Sequence, residues 1–261
     1  VDIADLARND PNVIKLWIGE PDLATPSFII DATTQALHEG LTRYTYSLGL
    51  PTLHEALARY HQRHWQVEID PSRFSITVGG MNAIMQIFQA LLEPGDEVVI
   101  PCPTWPNILE VTQIVGGRVQ PVLFEHASDG MLSLDLEKVF AAVTPRTRAI
   151  AINSPSNPTG WIMPRDEMIQ LRDFARERGL WIIADEVYNR FTYGPTPATS
   201  FLEICEPEDR VLIANTFSKN WCMTGWRSGW GIYPAGMAEG FDNLSQYNTT
   251  STPTFIQQGC I

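Results

Sequence analysis

The run Arg148-Ala149-Ile150-Ala151-Ile152-Asn153 is followed by a loop rich in Pro, Asn, Thr and Gly, by the amphipathic segment Pro164–Arg178, and by Leu180-Trp181-Ile182-Ile183-Ala184-Asp185. It reads as strand, helix, strand. Both apolar runs are short, β-branched and nearly continuous, the pattern of strands covered on two faces. Pro164 is expected in the first turn of the helix, where its missing N–H costs nothing.

The same alternation continues outward from this unit. Further strands are predicted at Phe74–Val78, Glu97–Pro101, Arg118–Leu123, Val211–Thr216 and Gly229–Tyr233, and further helices at Phe28–His38, Thr52–Trp65, Met81–Leu92, Pro106–Val115 and Leu134–Val143. The fold class that follows is α/β: three layers, with a mostly parallel seven-stranded sheet and helices on both faces. Residues 1–25, rich in Pro, Asp and Asn, read as an N-terminal arm and part of a small second domain, and residues 26–261 as the large domain. Val1 is no natural start, and the segment Ser245 to Ile261 stops inside what reads as a continuing element. Both ends are therefore expected to be incomplete.

Composition narrows the function. The chain has 261 residues, 44% hydrophobic, enough for a full core. With 18 Lys plus Arg against 30 Asp plus Glu, a net charge of −12 argues against general affinity for nucleic acid. No apolar run is long enough to span a bilayer, and the first residues given do not read as a basic-then-apolar secretion pattern. Cys102, Cys205, Cys222 and Cys260 are far apart and read as free thiols of a cytoplasmic protein. His54, His61 and His64 share one predicted helix; solvated or interface histidines are the simpler reading, and no metal site is expected.

Ligands of open α/β sheets bind beyond the carboxyl ends of the strands, and four such ends carry unusual residues. Thr77-Val78-Gly79-Gly80-Met81 runs from strand to helix, with backbone N–H groups able to approach one phosphate; bare turn glycines are the alternative. Asp185 closes a buried strand and needs a partner for its charge, a structural arginine or a ligand cation. Asn157 lies in a loop stiffened by two prolines, where turn chemistry alone would also account for it. Lys219 is one of only three lysines, with Lys15 and Lys138, against 15 arginines. Its setting of small, aromatic and hydroxyl residues, with Arg227 nearby, would favour a nucleophilic amine. A solvent-facing lysine is the plainer reading of Lys219 by itself.

Together these motifs resemble the fold-type I pyridoxal-phosphate enzymes, specifically the class I and II aminotransferases. The resemblance spans nearly the whole chain in the family's order: Gly-Glu-Pro-Asp at 19–22, Arg-Tyr-Thr at 43–45, Thr-Val-Gly-Gly at 77–80, Pro-Gly-Asp-Glu-Val at 94–98 and Pro-Thr-Trp-Pro at 103–106. Asn-Ser-Pro-Ser-Asn-Pro-Thr-Gly at 153–160, Ala-Asp-Glu-Val-Tyr at 184–188, and Ser-Lys with Met-Thr-Gly-Trp-Arg through Arg227 complete it.

The resemblance implies pyridoxal 5′-phosphate as cofactor and assigns roles. Lys219 is the Schiff-base lysine and proton carrier, and Asp185 the partner of the pyridine nitrogen. Asn157 and Tyr188 hydrogen-bond the phenolic oxygen, and Trp105 stacks on the ring. Gly80, Met81, Thr216, Ser218 and Arg227 form the phosphate cup. Tyr44 reaches the neighbour's phosphate across a homodimer interface, and Gly19 lies beside the substrate carboxylate. The family's carboxylate-binding arginine is expected beyond Ile261, in a segment that returns to pack with residues 1–25. The implied reaction is transfer of an amino group from an L-amino acid to a 2-oxo acid, by a ping-pong route through pyridoxamine phosphate. The same residues would also serve a carbon–sulfur lyase or another β-elimination enzyme. A cofactor-binding regulator domain would call for a basic DNA-binding module ahead of Val1. Which amino acid is used is not legible in the sequence.

Overall fold

The computed structural model describes residues 5–6, 10–14, 16–126 and 130–261; Lys15 and parts of the N-terminal arm lie outside them. Its strands are β1 (Phe74–Thr77), β2 (Glu97–Cys102), β3 (Arg118–Leu123), β4 (Glu125–His126), β5 (Leu132–Ser133), β6 (Thr147–Asn153), β7 (Trp181–Asp185), β8 (Val211–Thr216) and β9 (Gly229–Ile232). Seven of them form the main sheet in the order β1-β9-β8-β7-β6-β2-β3. β3, β2, β6, β7 and β8 are parallel, and β9 runs antiparallel between β8 and β1. β4 and β5 pair as a separate antiparallel ribbon, which the sequence reading did not anticipate. The main strands lie within one residue of their predicted ends.

Helices cover both faces. Within β7, Ile182 and Ala184 join one buried layer and Ile183 the other; Val211 and Ile213 alternate with Leu212 and Ala214 along β8 in the same way. Period-two alternation of apolar residues on both faces is what commits these strands to the centre. The first layer contains residues of α1 (Ser27–His38), α2 (Pro51–Trp65), α5 (Leu136–Ala141) and α6 (Arg165–Arg178); the second contains α3 (Gly80–Leu91) and α4 (Pro106–Ile114). α7 (Phe217–Asn220) follows β8 directly, Phe241 of α8 (Ala238–Asn248) packs in the second layer, and α9 (Thr254–Cys260) lies against α1. Among the described residues no helix is long and apolar enough to cross a membrane.

Two expectations need correction. Pro164 adopts φ −61, ψ 146 and caps α6 from outside, so the helix begins at Arg165, one residue later than expected. Near the C-terminus α8 ends at Asn248 and α9 starts at Thr254, after Thr250 takes a left-handed φ of 67°. His54 and His61 are buried rather than solvated. They belong to the inner stripe Leu53, His54, Leu57, His61 and Trp65 of α2, and His61 sits among Tyr60, Trp65, Phe74 and Trp230.

Candidate active site

The register of the sheet gathers the singled-out residues at one edge. Thr77 and Thr216 both pair with Gly229, and Asn153 pairs with Asp185, so the carboxyl ends of β1, β8, β6 and β7 lie side by side. Beyond this edge the chain turns into α3 and α7 and into the loops holding Asn157 and Tyr188.

Asp185 ends β7 with only 2% of its surface exposed. Its carboxylate accepts the Val187 N–H at 3.3 Å, and among the described residues it forms no ion pair. Burial pushes its pKa up to about 7, with the Val187 hydrogen bond opposing. Among the described residues no arginine pairs with Asp185. Its backbone is fixed by Asn153, whose Nδ2 donates to the Asp185 carbonyl at 3.2 Å while its Oδ1 accepts the Asn157 N–H at 2.7 Å. Asn153 thus orients two predicted site residues at once. Its polar side chain at the end of an apolar strand was the available signal.

Lys219 lies in α7, and its Nζ donates to the carbonyl oxygen of Gly19, 5.7 Å from the centre of the Tyr188 ring. Burial lowers its pKa, Glu20 opposes, and the Arg227 charge lowers it further. Tyr188 stands between the lysine and Asn157, whose Nδ2 lies 3.5 Å from the phenolic oxygen. Burial raises the pKa of this phenol, the Asp185 charge adds to the rise, and Asn157 opposes it. Gly19 faces the same space: a Cβ on it would lie 3.3 Å from the Tyr188 oxygen and 3.8 Å from Lys219 Nζ.

The Gly79 side of this edge is built by close backbone approach. Gly79, at φ 81, ψ 166, leads into α3, whose first N–H groups, those of Gly80 and Met81, have no acceptor inside the helix. Arg227, itself left-handed at φ 56, is anchored by its Nη1 to the Thr224 carbonyl at 2.8 Å and lays its exposed guanidinium over Gly79. Thr216 caps α7 through its hydroxyl, which accepts the Ser218 N–H at 3.1 Å and lies 3.0 Å from the Ser218 hydroxyl. Trp105, partly buried, directly precedes α4 after β2. Tyr44 is not brought to this cluster, and its side chain is 91% exposed.

Three hydrogen bonds escaped the sequence reading. Glu20 accepts the Thr224 hydroxyl at 2.7 Å, and Thr25 joins the Cys222 carbonyl at 2.6 Å to the Trp226 indole at 2.9 Å. They lash residues 20–25 to the segment between Lys219 and Arg227. Lys138, by contrast, is exposed and paired with Glu125, far from the site in sequence and role. Among the described residues no group of three or more His, Cys, Asp or Glu is placed to hold a metal ion.

A three-layer sheet of this order, with a half-buried lysine, a buried carboxylate and an arginine-backed glycine turn at its carboxyl edge, defines a large domain of the fold-type I class. The model of the aminotransferase class I and II family matches residues 11–259, and the chain belongs to that family. It is 38% identical over 248 residues to an aspartate aminotransferase of Geobacillus stearothermophilus, covering 95% of this chain and 62% of the relative. A probable aspartate/prephenate aminotransferase of Aquifex aeolicus is 37% identical, covering 98% and 65%. The solved aspartate aminotransferase of Thermotoga maritima superposes with a TM-score of 0.90 at 32% identity, covering 99% and 68%. The chain therefore spans less than two thirds of the length of these two curated relatives.

Proposed function

We propose that the protein binds pyridoxal 5′-phosphate and uses it to move an amino group from an L-amino acid to a 2-oxo acid. The observation that carries this reading is the buried carboxylate of Asp185, without an ion-pair partner among the described residues, at the same sheet edge as the amine of Lys219 and the Arg227–Gly79 anion cradle. A flat cationic ring bearing an aldehyde and a phosphate complements all three. Bound there, the cofactor supplies an electron sink for negative charge at the substrate's α-carbon.

The chain's own residues do the rest. Asp185 holds positive charge at the ring nitrogen, relieving the cost of its own burial. Lys219 Nζ takes up and hands on the substrate's Cα proton, a task helped by its lowered pKa. Asn157 and Tyr188 would hold the phenolic oxygen by hydrogen bonds, and Trp105 would lie against the ring. The N–H groups of Gly80 and Met81, the hydroxyls of Thr216 and Ser218, and the Arg227 fork bind the phosphate. Gly19 leaves room for the substrate carboxylate.

The same reading makes residues 1–25 an arm, residues 26–261 the large domain, and the working unit a cytoplasmic homodimer in which Tyr44 serves the partner's phosphate; the exposure of Tyr44 supports this. Aspartate is the first substrate to try, from the names of the relatives.

The test is spectroscopic. Purified full-length protein is expected to show an absorbance band at the visible edge that converts to the near-ultraviolet band of the aminated cofactor when the right amino acid is added. Release of ammonia and an oxo acid without that conversion would overturn amino transfer. Absence of the visible band would overturn the cofactor assignment, and its survival in Lys219→Ala would overturn Lys219 as the point of attachment.

A further inference from the structure

The geometry points to Asn82 as the positioning residue that shapes the phosphate turn, an inference that rests on the cofactor reading above. β1 stops pairing with β9 at Thr77, so the N–H of Val78 leaves the sheet without a ladder partner just before the two glycines. Asn82, on the first turn of α3, supplies it: Oδ1 accepts the Val78 N–H at 3.2 Å. The side chain is itself held on two further sides. Its Oδ1 also accepts Gln86 Nε2 at 3.2 Å, and its Nδ2 donates to Asn248 Oδ1 of α8 at 3.1 Å. Asn248 in turn donates to Gln89 at 3.3 Å.

The consequence lies in which donors remain for a ligand. Gly79 O already receives the Thr77 hydroxyl at 3.0 Å, the Asn82 N–H at 3.1 Å and the Ala83 N–H at 3.3 Å, while Gly79 N bonds to Thr77 O at 2.8 Å. With Val78 N occupied by Asn82, the turn is tied at every residue but its last two donors, Gly80 N–H and Met81 N–H. A glycine pair has wide conformational freedom, and a cradle left free to move binds an anion less well than a fixed one. Asn82 removes that freedom without touching the ligand. Its distinguishing effect is therefore on the phosphate end of the cofactor alone.

Apoprotein of the full-length chain is titrated with pyridoxal 5′-phosphate and, separately, with pyridoxal, which has no phosphate. Asn82→Ala is expected to lower the affinity ratio of the two about tenfold, the scale of one lost positioning hydrogen bond. Asn248→Ala, which keeps both bonds to Oδ1, is expected to change the ratio by less than about twofold. If Asn82→Ala does not fold, Asn82→Ser carries the same readout with an expected loss of about threefold. An unchanged ratio in whichever variant folds would overturn the role of Asn82 while leaving the cofactor reading standing. A wild type that binds neither compound would overturn both.

Discussion

Arg227 lays its guanidinium against the bare α-carbon of Gly79: a Cβ built there would stand 2.6 Å from Nη2 and 3.1 Å from Cζ. Gly79 also has φ 81, ψ 166, a backbone region almost closed to other residues. Gly79→Ala must therefore both strain the turn and push the arginine aside. The arginine end is flexible, so the steric part is cheap and the backbone part dominates stability. A loss of about 1–3 kcal/mol is expected in denaturant unfolding. Displacement of the guanidinium adds a drop of about tenfold or more in affinity for pyridoxal 5′-phosphate. Unchanged affinity in the folded variant would remove Arg227 from the phosphate site.

Gly229 presents a harder obstacle. A Cβ on it would meet the Gly79 carbonyl carbon and the Gly80 nitrogen at 2.7 Å and the Asn215 carbonyl oxygen at 2.8 Å, all backbone atoms with no rotamer to escape into. Gly229→Ala is expected to destabilise the protein by about 3 kcal/mol, the upper part of the range for overpacking. Gly240→Ala, on α8 with nothing within 4 Å of its Cβ position, is the matched control and is expected to be neutral or slightly stabilising. Equal unfolding midpoints for the two variants would show that β9 does not approach the turn as closely as described.

Asp185 and its neighbour Glu186 are both buried, and burial pushes each up to about 7. The ordinary values are 3.8 and 4.5, so between those values and about 7 the folded apoprotein holds protons that the unfolded chain has released. Stability of the apoprotein should accordingly fall as pH rises through that window and level off above it. Asp185→Asn removes its share of the slope and is expected to make the apoprotein more stable than wild type at pH about 8, by up to a few kcal/mol, while abolishing most activity. Urea unfolding of both apoproteins at about pH 5 and pH 8 checks the sign. Glu186 is a different case, because the Ser200 hydroxyl at 2.7 Å and the Phe201 N–H at 2.9 Å both donate to it.

The strands of the main sheet were legible because each is a short apolar run closed by polar or turn residues, and the candidate site residues stood out because they sit at or just beyond those closing positions. Asp185 and Thr216 end strands; Lys219 lies three residues beyond one. α8 and α9 were not legible for the opposite reason. α8 buries only Phe241 and Ser245, and α9 only Gln257, whose amide bonds to Leu50 N and the Thr252 carbonyl, so neither carries an apolar stripe. His54 and His61 were within reach, since they fall on the three- and four-residue spacing of Leu53, Leu57 and Trp65. Their side chains suggested water, and the helix face decided otherwise. Asn153 and Asn82 act through residues that are close in sequence, but their meaning depends on where Asp185 and α8 sit in space.

The charge of Glu20 gives a last expectation. It lies close enough to Lys219 to raise the lysine's pKa, against the lowering by burial and by Arg227. Its carboxylate also accepts the Thr224 hydroxyl at 2.7 Å, a bond that a glutamine oxygen can keep. Glu20→Gln therefore removes the charge and leaves the contact. Without its counterweight, Lys219 should lose its proton at lower pH, and more of the amine should be free to attack the cofactor's aldehyde near neutrality. Stopped-flow attachment of pyridoxal 5′-phosphate to the apoprotein, followed from about pH 6 to pH 9, is expected to run about two- to threefold faster at pH 7 in the variant, with the whole profile displaced to lower pH. The size is modest because Glu20 is exposed and its field is screened by solvent and salt. A profile that stays in place would mean that burial and Arg227 alone set the reactivity of the amine; one that moves to higher pH would contradict the placement of Glu20 beside it.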